Sequence, residues 1–434
     1  MRNRTSPLPQ VGLWLLVACL VATAFALLPL LKEIPRAPGL DFYHYWGVAH
    51  ARPQMPLTQS NPYRFPHEYK QTLARLAATS GDSQLQAVQA AKSALDLTNT
   101  PLLYALAAVL PAHYSAALAL HRALQIACVI ISALLLLRLC RRGSSWYLAG
   151  LGLILAAYGP LVIDLLIANI ASLQLAGILA ALGLARVTPR LPIAGLLNAL
   201  WLPLLTLIKP NFALVTGILW IATLRGLPSA LTLPALLATV IGAALGVEIG
   251  SHYFTSPVIW IDWLRVLLGP AERLAYDYEL GNYSSALLLT RTAGGDLRGV
   301  SLALLATLAT LIIVLPWGLT RRLLKPAPLF PAADTAFEWA SIGTVLTLAS
   351  APLVWTHYYV LALIPVVYLV GERRGAPSVR VMGVLGLLCA AGSVHLLALA
   401  VRGPEWPPLR VLDCLSWLPL ALGLTYARIT LRRR

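Results

Sequence analysis

The sequence predicts an all-α, polytopic integral membrane protein, and three observations predict it. Of its 434 residues 58% are hydrophobic and 12% charged, with a mean hydropathy of +0.74. A soluble chain of this length needs a larger charged surface, so most side chains must find an apolar solvent. Runs of roughly 20 apolar residues, enough to cross a hydrocarbon core about 30 Å thick, recur from end to end. The runs are continuous rather than alternating, which selects helices over an outer-membrane barrel.

Taken in order, the runs place about twelve spans near 11–31, 113–137, 146–163, 168–186, 192–208, 211–224, 229–250, 299–319, 336–353, 358–371, 380–400 and 411–428, in one transmembrane domain over 1–434. The first follows Arg2 and Arg4 but is too long for a signal peptide. It ends in Pro29-Leu30-Leu31-Lys32-Glu33 rather than at a small-residue cleavage site, so it reads as a retained helix. With the N-terminus inside, the cytoplasmic segments hold 18 of the 33 lysines and arginines, in clusters such as Arg138/Arg141/Arg142 and Arg321/Arg322/Lys325, and the C-terminus is cytoplasmic too. Only Asp334, Glu338 and Glu372 oppose them, so the net charge of +16 reports topology and not nucleic-acid binding. The five cysteines show no paired spacing, which argues against a disulfide framework and against a zinc site.

The stretch 191–224 has basic flanks, Arg190 and Arg225, so it needs an even number of crossings. Lys209-Pro210-Asn211 interrupts it midway, and proline breaks the backbone ladder there. Two short helices with Lys209 at their outer tip is the simplest arrangement.

Two long polar insertions, 32–100 and 251–297, fall outside the membrane under this topology, and loops of that length usually carry function. The first opens with Asp41-Phe42-Tyr43-His44-Tyr45-Trp46, whose aromatics recur at helical spacing. An amphipathic helix on the membrane surface is expected, with Tyr45 and Trp46 at headgroup depth. Asp41 at its start either caps the helix or acts as a base towards a hydroxyl, and the two roles can coexist. Asn61-Pro62-Tyr63 downstream is a turn signal.

Lys209 and Arg122 are cations in apolar surroundings, suited either to snorkelling or to binding a lipid-borne phosphate. Trp355-Thr356-His357-Tyr358-Tyr359 joins two spans on the same outer side as Asp41. An aromatic belt explains its Trp and Tyr residues but leaves His357 without a reason. Glu279-Leu280-Gly281-Asn282-Tyr283-Ser284-Ser285, followed by Arg291, supplies small polar groups before a cation. Asn169 and Gln174 add polar groups at the outer end of the fourth span, with Asp164 and Glu248 at similar depth. No G-x-x-x-x-G-K-[ST] loop is present, which speaks against an ATP-driven pump, and no paired Asp-x-Asp follows the first span to demand a metal.

Together these motifs resemble glycosyltransferase family 87, polyprenyl-phosphate-dependent mannosyl- and arabinosyltransferases of the GT-C fold. The resemblance rests on Asp41 with Tyr45 and Trp46, Asn61-Pro62-Tyr63, Lys209-Pro210, Gly281-Asn282 with Ser284 before Arg291, and Trp355 with His357, in that order over roughly 11–371. The chain departs from the family at Tyr283, Ser285 and Tyr358, and the Gly-Gln-x-Asn of the fourth span is blurred into Ala168-Asn169. The resemblance implies inverting transfer of a sugar, mannose being the one expected, from a polyprenyl-phosphate donor to a lipid or glycan acceptor. The expected place is the extracytoplasmic face of a bacterial inner membrane, with no cofactor or metal. Asp41 and His357 would be catalytic. Tyr45, Trp46, Asn61, Tyr63, Arg122, Asn169, Lys209, Asn282, Ser284, Arg291 and Trp355 would bind substrate. A competing reading is a secondary transporter or flippase of lipid-linked sugars. A scaffold role needs only the helices and leaves Asp41, Lys209 and His357 unexplained.

Overall fold

Apolar runs fold as helices because no other element satisfies its own backbone groups away from water. The computed structural model describes residues 8–92, 95, 97–140, 157–268, 282–317, 335–371, 377–392 and 408–431. Among these the regular structure is helical, and the sole β-type pairing is an isolated bridge between Asn282 and Trp355. Glu279, Gly281, the clusters at 141–142 and 321–325, and parts of the expected spans 146–163 and 380–400 lie outside the described residues.

The chain enters through α1 (Leu8–Glu33) and folds its first insertion into α2 (Phe42–Ala51), α3 (Pro66–Ser80), α4 (Ser83–Ala91) and α5 (Pro101–Ala107). The helical body follows with α6 (Tyr114–Cys140), α7 (Gly159–Ile167), α8 (Ala171–Val187), α9 (Pro192–Ile208), α10 (Ala213–Gly226) and α11 (Thr232–Phe254). Two short helices, α12 (Ile259–Leu267) and α13 (Ser285–Ala293), precede α14 (Leu297–Ala309), which runs on through a π-turn at Thr310–Val314. The last group is α15 (Ala336–Ser350), a 3-10 turn at Thr356–Ala362, α16 (Leu363–Gly371), α17 (Pro377–Ala390), α18 (Pro408–Cys414) and α19 (Leu418–Leu431).

Among the described residues three helices, Tyr114–Leu139, Ser229–Phe254 and Leu297–Trp317, are long and apolar enough to cross a membrane. A fourth crossing results if α7 and α8, bent by 120° at their junction, count as one. The long helices turn Ile130, Leu134, Val240 and Leu302 outward at 56–66% exposure, an apolar surface that calls for lipid or a partner. Several other runs expected to span form shorter helices: α8 and α9 have 17 residues, α15 has 15 and α10 has 14. Sequence hydropathy does not separate a crossing helix from one buried among its neighbours, and α15 is buried over almost its whole length.

Among the described residues two large hydrophobic cores lie beside two small clusters. One core gathers α7, α8, α9, α10, α15, α16, α17 and α19 around aliphatic side chains. The other is rich in aromatics and joins α2 through α5 to the start of α6 and to α12, with Phe42, Trp46, Tyr69, Tyr104, Tyr114 and Trp260 among its members. The helix expected on the membrane surface is therefore buried instead: in α2 every residue but His50 is buried. Its aromatics pack against protein, as where Trp46 donates to the Pro111 carbonyl at 3.0 Å and meets the Tyr114 ring edge-on at 4.9 Å.

Candidate functional site

The site is built where the first insertion docks onto the break between α7 and α8. A helix end exposes unpaired carbonyls, and the next helix start exposes unpaired N–H groups. Ala168 adopts a left-handed conformation (φ 55°, ψ 50°) that ends α7. The Asp164 carboxylate then receives the first N–H groups of α8, from Ala171 at 3.1 Å and Ser172 at 3.0 Å. An anion at a helix N-terminus is favoured by the helix dipole as well as by these bonds. The exposed carbonyls are taken up from α2 and α6. Tyr45 donates to the Ala168 carbonyl at 2.5 Å, Gln125 donates to the Asn169 carbonyl at 2.7 Å, and His121 Nε2 lies 3.1 Å from the same oxygen.

The linker before α2 is held as firmly. Arg122 donates to the Ala37 carbonyl at 2.6 Å, and the Tyr114 hydroxyl donates to the carbonyls of Pro38 at 2.5 Å and Gly39 at 3.1 Å. The Asp41 N–H then donates to the Ile167 carbonyl at 2.9 Å. Asp41 occupies the N-cap position of α2, yet its side chain makes no capping bond. It accepts instead from Asn169 Nδ2 at 2.6 Å. The same amide accepts on its oxygen from the Ile170 N–H at 2.7 Å and from Lys209 Nζ at 3.0 Å. With both donors on Oδ1, the amide has one orientation, and its nitrogen must face Asp41.

Lys209 lies between α9 and α10 in extended backbone (φ −155°, ψ 107°), as the proline after it requires. Its carbonyl accepts from Gln174 at 3.3 Å, and its ammonium sits 5.1 Å from the centre of the Tyr358 ring. The Tyr358 hydroxyl accepts from Asn211. His357, 3% exposed, meets Tyr358 edge-on at 4.7 Å, and its Nε2 has no hydrogen-bond partner. Carboxylate, amide, ammonium and imidazole thus converge from four separate stretches of chain. A single neutral amide stands between the acid and the cation.

The remaining candidates hold structure around this centre. Trp46 is in the aromatic core. Asn61 donates to Asp262 at 2.8 Å and accepts from the Tyr63 N–H at 3.0 Å, while the Tyr63 hydroxyl donates to the Asn99 carbonyl at 2.7 Å. Asn282 accepts from the N–H groups of Ser284 at 3.2 Å and Val354 at 2.8 Å, which fixes the strand-like contact to the half-buried Trp355. Ser284 caps α13 and donates to the Ala351 carbonyl at 2.6 Å. Arg291 is exposed in the last turn of α13. Tyr358, Gln125 and His121 complete the centre without having been singled out as site residues by the sequence, although His121 was visible beside Arg122. Protein-family models, curated proteins and solved structures return no match to this chain.

Proposed function

We propose that the chain is a membrane glycosyltransferase that moves a sugar, mannose by preference, from a polyprenyl-phosphate donor to a lipid or glycan acceptor, with inversion. The observation that carries this reading is the Asn169 amide held between Asp41 and Lys209 at 2.6 and 3.0 Å. A base and an anion-binding cation set one residue apart match the two ends of such a transfer. Asp41 takes the proton of the acceptor hydroxyl, and the oxygen attacks the anomeric carbon. The bond from that carbon to the phosphate oxygen breaks, and its electron pair leaves with the polyprenyl phosphate. Lys209 stabilises the charge gathering on the phosphate. The unpartnered Nε2 of His357 suits a hydroxyl or phosphate oxygen of the substrate.

The proposal includes a GT-C-like fold of about twelve crossings in a bacterial inner membrane, both termini cytoplasmic and the site extracytoplasmic, with no metal in the scheme. Exposed leucines and isoleucines on the three long helices support a lipid setting. A second reading, transport of lipid-linked sugars, is favoured by the 120° bend between α7 and α8, since broken helices also form transporter sites.

The test is transfer of radiolabelled sugar from polyprenyl-phosphate mannose to a membrane-lipid extract by wild type and Asp41→Asn. The substituted amide oxygen still accepts the bond from Asn169, so folding is spared while the base is gone. Transfer should fall at least about 100-fold. A wild type inactive with mannosyl and arabinosyl donors alike, or a variant as active as wild type, overturns the proposal and promotes transport.

A further inference from the structure

A cavity of about 210 Å³ lies beside the site, on the far side of the 3-10 turn Thr356–Ala362. A 3-10 helix has three residues per turn, so positions three apart share a face. Thr356 and Tyr359 accordingly line the cavity. His357 and Tyr358, between them, are the residues placed about Lys209 and Asn211. The turn is therefore a wall common to the cavity and the candidate active site.

The lining has a definite chemistry. Leu27 of α1 and Ile163 of α7 make an apolar side, and Tyr283, Thr356 and Asp413 bring hydroxyls and one carboxylate. Tyr283 and Thr356 share a hydrogen bond. The Tyr359 side chain belongs to a residue only 3% exposed, and its hydroxyl has no hydrogen-bond partner. That hydroxyl is shut off from the open space, so Tyr283, Thr356 and Asp413 supply the polar part of the lining. A carboxylate accepts hydrogen bonds from hydroxyl groups and repels phosphate. The volume is below the roughly 300–1,000 Å³ of a cleft for a drug-sized ligand, so it admits a single ring-sized head group.

We propose that this cavity binds the neutral, hydroxyl-bearing head of a lipid, a sugar or polyol ring whose tail runs along the Leu27 and Ile163 side. None of Asp41, Asn169, Lys209 and His357 lines the cavity, so the bound head stays behind the turn from the centre of the proposed transferase. Binding itself does not depend on the transferase reading.

The experiment is equilibrium binding of tritiated octyl mannoside to the full chain in lipid nanodiscs, with octyl glucoside and octyl phosphate as competitors. Wild type binds the probe, octyl glucoside displaces it and octyl phosphate does not. Thr356→Val and Asp413→Asn each weaken binding roughly three- to tenfold, the worth of one hydrogen bond. The proposal is overturned if wild type does not bind the probe, if both cavity variants bind it unchanged, or if octyl phosphate competes as well as octyl glucoside. Normal binding by a chain that transfers no sugar removes the transferase reading and leaves the site standing.

Discussion

Asn169 decides whether Asp41 and Lys209 work separately or cancel each other. Its oxygen is occupied by the Lys209 ammonium and the Ile170 N–H, and its nitrogen holds the Asp41 carboxylate. Without the amide, carboxylate and ammonium are free to collapse into a direct ion pair, in which neither meets substrate. Asn169→Ala should therefore lower kcat on the order of 100-fold, the cost of misplacing a reacting group by about 1 Å. Donor KM should rise as well, since an ion-paired Lys209 is drawn off the donor phosphate. Steady-state kinetics separates the two, and an unchanged kcat with a raised KM would make Asn169 a binding residue only. In the sequence Lys209 stands out as a charge amid an apolar run, and Asp41 as the residue that opens the aromatic helix of the first insertion. The bridge between them was not legible there, since it joins residues 128 and 40 positions apart and only the fold brings them together.

At the scale of elements, the site depends on the bend that carries the chain from α1 into α2. Gly39 has φ 71°, and a Cβ there would sit 2.6 Å from Leu118 Cδ1 and 3.4 Å from the Ala168 Cβ. Gly39→Ala combines left-handed strain of about 1–2 kcal/mol with crowding of about 1–3 kcal/mol against α6 and the α7–α8 break. Relaxation would shift Asp41, two residues on. The variant should lose thermal stability by several degrees and lose more transfer activity than its folded fraction explains. A midpoint equal to wild type would show that the linker yields freely. Helices and their order were largely readable from apolar runs, including the Lys209 hairpin, which appears as α9, a 3-10 turn at Pro210–Phe212 and α10. The setting of α2 was not readable, because aromatics at helical spacing look the same whether they meet headgroups or a protein core. Here the core is the first insertion itself.

At the scale of the whole molecule, two buried carboxylates tie the two insertions to the body and to each other. Asp262 of α12 accepts from Asn61 at 2.8 Å, Arg64 at 2.6 and 3.2 Å, and Arg265 at 3.1 Å. Asp82 accepts from the N–H groups of Gln84, Leu85 and Ser115 and from the Ser115 hydroxyl, and it lies 3.3 Å from His113. Burial acts to raise both carboxyls, but hydrogen bonds and neighbouring cations outweigh it and hold each below the ordinary range. The unfolded chain, with carboxyls near 3.9, then binds more protons than the folded one between the two sets of values, so stability rises with pH there. The contribution is complete above the unfolded value and is lost as pH falls through the folded value. The thermal midpoint of the detergent-solubilised protein should therefore stay level from neutrality to about pH 5 and descend below about pH 4. Asp262→Asn should lower the midpoint at neutral pH and make the acid descent shallower, because the substituted side chain takes up no proton. If Asp262→Asn and Asp82→Asn both descend as steeply as wild type, the acid sensitivity lies in other carboxyls and the two ties do not govern how the two insertions are held.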